Sequence, residues 1–294
     1  MGRIPAVYLI GGRNELMKKN FWRCFLIALF MAFAFMAEKP GINAQAAAGF
    51  VKLNYDGITR AGGRYFEYKG SRLYYGSSSS NINVWIADSV YDVCTDGNTV
   101  YYVKDRVLTR YSIPSGKNSA LKRLSSRWNW DVSTVYGKNI YLFKADELLD
   151  GASTYVYNTK TKKLKKIASG AEIEYRSGKY AVVSQTFSTG YTDRKISIFR
   201  LTSTGMKKVK TLGKCLCPRV VKGKVFYMKY TSPKSRGVAL YRCNANGKGI
   251  VRIGSFSAES TYGVVEIDNY TVENGKVSFF YHGSRYTYTI GKKA

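Results

Sequence analysis

One phrase recurs along the chain: a polar residue, a glycine, a second polar residue, then a run of β-branched and aromatic positions. It reads Lys69-Gly70-Ser71 before RLYY, Asp96-Gly97-Asn98 before TVYYV and Tyr136-Gly137-Lys138 before NIYLF. It returns as Ser177-Gly178-Lys179 before YAVV, Lys222-Gly223-Lys224 before VFYM and Asn274-Gly275-Lys276 before VSFFY. Successive glycines are 27, 40, 41, 45 and 52 residues apart. Glycine, Asn and Asp tolerate the positive φ that two-residue hairpin turns need. The residues after each turn have the composition of a strand.

The middle units carry a second half. LTRYSI at 108–113 is followed by a turn at 114–117 and ALKRL, and TYVYN at 154–158 by a turn at 159–163 and LKKIA. ISIFRL at 196–201 and VALYRC at 238–243 are continued in the same way, by KKVKTL and GIVRIG. Four short strands in about 40 residues match one propeller blade. The pattern therefore predicts an all-β chain, a β-propeller of five or six four-stranded blades, with six favoured. The last unit stops after YTYTI at 286–290, one strand short, while FVKLNY at 50–55 is left over at the front. Pairing the two would close a ring and remove its open edges.

These repeats resemble the YWTD-like and TolB-like six-bladed propeller-repeat proteins of unknown function that Gram-positive bacteria secrete, over about residues 50–291. The shared motif is Gly-polar-apolar-Tyr-Tyr; the YWTD tetrapeptide itself is missing here. The resemblance implies an architecture and little about activity.

The front of the chain has a different pattern. Lys18, Lys19 and Arg23 precede a charge-free apolar run at 24–37, and small residues follow at Ala44, Ala46, Ala47 and Ala48. This is the layout of a signal peptide cleaved after Ala46 or Ala48. It divides the chain into a leader at 1–48 and one propeller domain at 49–294. The alternative is a membrane anchor through 24–37, but spanning takes about 20 residues. Met17 followed by two lysines also reads as a start, which would make 1–16 an extension. Export to the cell surface or the medium follows from the signal-peptide reading. Membrane contact is then confined to the N-terminal segment, if uncleaved.

Charge changes the picture of what such a propeller would meet. The chain has 47 Lys and Arg against 19 Asp and Glu, a net charge of +28. Without residues 1–48 it keeps 41 basic and 17 acidic residues, a net of +24. The excess is spread along the sequence, as expected for a protein drawn to anionic wall polymers or other polyanions. Nothing points to a specific nucleic acid.

Long loops on a rigid scaffold are where binding usually resides. The turns before the aromatic strands are tight. The segments 76–81, 125–131, 144–152, 186–194 and 230–237 are longer and fall on the opposite face of such a propeller. On that face the candidate ligand residues are Arg127, Trp128, Trp130, Phe187, Tyr191, Arg194, Tyr230, Lys234 and Arg236. Exposed aromatics suit sugar rings and protein hot spots.

The residues that carry chemistry are sparse. His282 is the only histidine, which argues against histidine-rich metal sites and a Ser-His-Asp triad. Asp146, Glu147 and Asp150 cluster in one loop, and Glu172 and Glu174 alternate on a strand and share a face. Neither group has a distinctive spacing for glycoside hydrolysis. Cys94, Cys215, Cys217 and Cys243 follow the leader and read as buried thiols. No metal, cofactor or catalytic residue is assigned. The expected function is a non-enzymatic binding module for a protein or a cell-wall or extracellular glycan, helped by electrostatic retention. A glycoside hydrolase or lyase is the alternative.

Overall fold

The computed structural model describes residues 43–44, 49–53, 55, 57–125, 129–145, 152–185, 195–231, 237–257, 268–273, 275–281 and 283–290. The leader, apart from 43–44, therefore lies outside the described residues, as does His282. All regular structure among the described residues is β, in six sheets built of consecutive antiparallel strands.

The first sheet runs Thr59–Ala61, Arg64–Lys69, Arg72–Ser78, Asn81–Asp88, and the second Cys94–Thr95, Thr99–Lys104, Val107–Ser112, Lys117–Arg123. The third is Asn129–Tyr136, Asn139–Ala145, Ser153–Asn158, Leu164–Ser169. The fourth is Ala171–Ser177, Tyr180–Gln185, Lys195–Thr202, Gly205–Lys214. The fifth is Leu216–Val221, Lys224–Tyr230, Gly237–Asn244, Val251–Ser257, and the sixth Asp268–Glu273, Lys276–Tyr281, Ser284–Thr289. Asn43–Ala44 adds to the inner edge of the first sheet, parallel to Thr59–Ala61. The first strands of the second to fifth sheets neighbour one another in turn. This is the blade order of a β-propeller.

The strand pattern explains why the sheets stack. Successive side chains on a strand point to opposite faces. In the third sheet, Ile140 and Leu142 enter the core shared with the second sheet, while Tyr141 enters the core shared with the fourth. In the fifth sheet, Tyr227 faces the fourth, and Phe226 and Met228 face the sixth. A middle strand must therefore be apolar on both faces, which is why these strands read as continuous apolar runs. Buried clusters join the first sheet to the second, and each later sheet to the next up to the sixth.

Tyrosine hydroxyls tie the outer parts of neighbouring sheets together. Tyr157 donates to Leu121 O at 3.1 Å, and Tyr288 to Ser255 O at 3.0 Å. Tyr141 lies 2.9 and 3.1 Å from the carbonyls of Gly205 and Thr202. Tyrosine suits these positions because its ring fills the core while its hydroxyl satisfies a carbonyl at the rim.

The structure explains the short first spacing and corrects two sequence expectations. The first sheet is complete, because Gly62-Gly63 forms its first turn and Gly70 its second. The recurring phrase therefore slips by one strand in that sheet, which explains its short 27-residue spacing. Residues 76–81 join the third and fourth strands of this sheet, so they belong to the tight-turn face. The strand at 50–55 does not complete the sixth sheet. Val51–Lys52 pairs antiparallel with Cys94–Thr95 at the inner edge of the second sheet, and Leu53 N donates to Val93 O at 2.8 Å. The sixth sheet has three strands among the described residues.

The first two sheets interlock through their turn glycines. Gly62 and Gly97 both have positive φ, at 53° and 93°. A methyl on Gly97 would sit 2.4 Å from Ala61 O, and one on Gly62 would sit 2.1 Å from Asp96 O. Gly70 also has positive φ but has nothing within 4 Å of that position. Gly70→Ala should cost about 1 kcal/mol through backbone strain alone, and Gly97→Ala about 3 kcal/mol or more through strain plus the clash. Chemical denaturation of the two variants measures the difference.

Candidate functional site: a cationic rim and an axial ion pair

Charge is organised in two places, the outer strands and the inner edge. The fourth strand of a blade is its outer edge, and unpaired edges are commonly protected by lysine. The outer strands of the second, third and fourth sheets go well beyond that need. They expose Lys117, Lys122 and Arg123, then Lys165 and Lys166, then Lys207, Lys208, Lys210 and Lys214. Arg252 continues the series on the fifth. None of these four strands contains an acidic residue. The outer strand of the first sheet, NINVWIAD, has no cation and instead exposes Val84 and Trp85.

Strand register sharpens the clustering. Arg200 stands directly opposite Lys207, and Lys195 opposite Lys214. In the third sheet the amine of Lys144 is held below its ordinary pKa by burial and by the charge of Lys166. Like charges placed opposite each other destabilise a sheet. The rim therefore accepts electrostatic repulsion that alternating signs would have avoided.

The inner edge is built around residues 49–53 and Tyr55. The segment enters beside the first turns of the third and fourth sheets, where Phe50 O accepts a hydrogen bond from the Arg176 guanidinium. It runs along Cys94–Thr95 and ends with Tyr55 against Tyr68 and Tyr91, ring centroids 5.0 and 5.8 Å away. Midway, Lys52 Nζ lies 2.7 Å from Asp92 Oδ1, with 32% and 39% of the two side chains exposed. Desolvation works against the Lys52 charge, but Asp92, with Cys94 and Glu172, outweighs it and raises the pKa. Asp131, on the first strand of the third sheet, is pushed up to about 6 by burial, with Asp92 adding and Lys52 opposing. Further round, Arg219 donates to the Tyr175 hydroxyl at 2.6 Å, and Ser184 to Glu174 Oε1 at 2.8 Å.

Of the sequence-predicted ligand residues, Arg127, Trp128, Phe187, Tyr191, Arg194, Lys234 and Arg236 lie outside the described residues, as do Asp146, Glu147 and Asp150. Trp130 is not on a loop. It opens a strand, is 7% exposed, and packs edge-on to Tyr155 at 4.9 Å in the core between the second and third sheets. Two-residue alternation puts it on the same face as Val132, which lies in that core. Tyr230 ends a strand, half-buried against the core shared by the fifth and sixth sheets. Sequence reasoning missed Lys52, Asp92 and Asp131 because they meet only when residue 52 crosses the inner edge. Cys94, Cys215, Cys217 and Cys243 are not joined in disulfides, and burial pushes Cys94 and Cys215 up to about 12. Among the described residues no group of three or more His, Cys, Asp or Glu is placed to hold a metal.

No protein-family model matches the chain, and no curated protein matches it. Solved structures do. They include an oligogalacturonate lyase in complex with manganese, at 14% identity over 76% of this chain and 73% of that one, TM-score 0.49. TolB from Acinetobacter baumannii matches at 12% identity over 83% of this chain and 64% of its own, TM-score 0.42. Dipeptidyl peptidase 4 from Porphyromonas gingivalis matches at 11% identity over 81% and 44%, TM-score 0.47.

Asp131 makes a pH prediction. Its native pKa of about 6 lies above the ordinary value near 4, so the folded chain holds this proton more tightly than the unfolded one. Its contribution is most favourable below pH 4 and is lost as pH rises through 6. Asp131→Asn should therefore stabilise the protein at pH 7 by up to about 3 kcal/mol, with the gain vanishing near pH 4. Denaturation at the two pH values checks it.

Proposed function

We propose that this chain is an exported, cell-surface six-bladed β-propeller that holds an anionic wall polymer or glycan along its cationic rim without turning it over. On this reading residues 1–48 are the export leader. The observation that carries the proposal is the register that sets Arg200, on the third strand of the fourth sheet, opposite Lys207 on an outer strand with four lysines and no acid. Solubility alone is served as well by mixed charges, and edge protection by a single lysine. A run of cations that costs stability in isolation is repaid when a polyanion lies across it and its counterions are released. The basic strands occur on consecutive sheets, which suits a long ligand better than a compact one.

The hydrolase or lyase alternative draws less support from the described carboxylates. Asp92 is committed to Lys52, and residues 51–52 lie along the inner edge beside Asp131 and Glu172.

Each cation that contacts a polyanion contributes about 0.7–0.9 to the slope of log affinity against log salt. Replacing Lys207, Lys208 and Lys210 by Gln should lower that slope by roughly 2 and bring the protein off a teichoic acid or polyuronate column at lower salt. The same variant should be more stable than wild type by a few tenths of a kcal/mol, because repulsion is relieved. Unchanged retention would remove the rim from the reading.

A further inference from the structure

A cavity of about 430 Å³ opens where residues 49–50 meet the first turns of the third and fourth sheets. Its size lies within the usual range for small-ligand sites, about 300–1,000 Å³. Phe50, whose ring also packs against Tyr101 at 5.3 Å, and Tyr136 line it together with the turns at Gly137 and Gly178. A methyl on either glycine would meet nothing within 4 Å, so the space above both turns is open.

Two cations face this space, Arg176 and Lys179. The Arg176 guanidinium is fixed in place, with one Nη donating to Gly178 O at 2.8 Å and the other to Phe50 O. A methyl at Gly49 would stand 3.2 Å from an Arg176 Nη and crowd it. Both partners are neutral carbonyls. Among the described residues no carboxylate pairs with Arg176 or Lys179. Burial lowers the Arg176 pKa against the opposing effect of Cys94 and Tyr136, so its charge is desolvated without a counterion. A guanidinium has five N–H donors, and only two are used in these bonds. A held, half-buried, uncompensated arginine beside an exposed lysine and two aromatic rings is the equipment for an anionic ring-shaped ligand.

We propose that this cavity binds the carboxylate- or phosphate-bearing sugar unit of the polymer held by the rim, with Arg176 and Lys179 taking the anion and Phe50 and Tyr136 flanking the ring. The proposal rests on the rim reading for the source of its ligand, and on the cavity alone for its chemistry. The rim captures by charge, and the cavity discriminates by shape and by the position of one anion.

The test uses ligand-observed NMR with the purified full chain in about 0.5 M NaCl, where exposed lysines are largely screened and a half-buried pair is screened less. The probes are glucuronic acid, glucose 1-phosphate and glucose. Saturable binding of one or both anionic sugars, at least tenfold weaker for glucose, is expected, and the preferred anion identifies the group. Lys179→Glu reverses an exposed charge at the mouth and should weaken binding at least tenfold with unchanged melting; Arg176→Gln should abolish it. No saturable binding of either anionic sugar, or binding indifferent to Lys179→Glu, overturns the proposal. Salt-dependent polymer retention alongside such a null leaves the rim standing and removes only the cavity. Sugar binding lost in Lys179→Glu, with no polymer retention at any salt, sustains the cavity and removes the rim.

Discussion

The middle strands of the second to fifth sheets are shared between two cores. Their alternate side chains enter opposite inter-sheet clusters, as Tyr141 does against Ile140 and Leu142, and Tyr227 against Phe226 and Met228. A single sheet taken out of the stack would expose both apolar faces, and two packed sheets would still expose one face each. The stability of any one blade is therefore largely its neighbours' contribution, in the manner of repeat proteins. The tight glycine turns, the tyrosine struts to neighbouring carbonyls and the Gly62–Gly97 contact all serve that stacking.

With its apolar residues spent between the sheets, the chain has two polar zones left, the outer strands and the inner edge, and it treats them oppositely. Outside, cations accumulate on strands that carry no acid, and Arg200 even faces Lys207. Inside, charged groups sit in specific contacts: Lys52 meets Asp92, Arg219 donates to the Tyr175 hydroxyl, and Glu174 accepts from Ser184. Arg176 is anchored there by two backbone carbonyls. That contrast separates the part of the charge that holds the fold from the part available to a ligand.

The repeat was legible from the glycine-aromatic phrase because turn chemistry and two-residue periodicity are local properties. Strand type and the four-strand unit followed from them. What failed was non-local. The first blade slipped by one strand because Gly70 lies in the same sequence context as true first turns such as Gly97, although it sits one hairpin later. Residues 50–55 were assigned to the missing outer strand by counting edges. The inner edge of the second sheet was equally unpaired, since Cys94–Thr95 is only two residues long, and it took the strand. Trp130 looked like a loop aromatic because 125–131 is polar; one hydrophobic partner, Tyr155, lay 25 residues ahead. The rim was visible only as net charge, because which lysines oppose which cations depends on register.

The placement of residues 49–53 has a kinetic consequence. They are made before any blade, yet their partners are Cys94 and Thr95 in the second sheet and Arg176 in the fourth, 126 residues from Phe50. Contacts so distant in sequence close slowly, because chain entropy must be lost before they form. Residues 51–53 must therefore wait for the second sheet, and the bond from Arg176 to Phe50 O for the fourth, so the segment seats late. Until it does, the inner edges it covers stand unpaired, which makes that interval the one in which the nascent chain is most open to chaperones, proteases or association with another copy of itself.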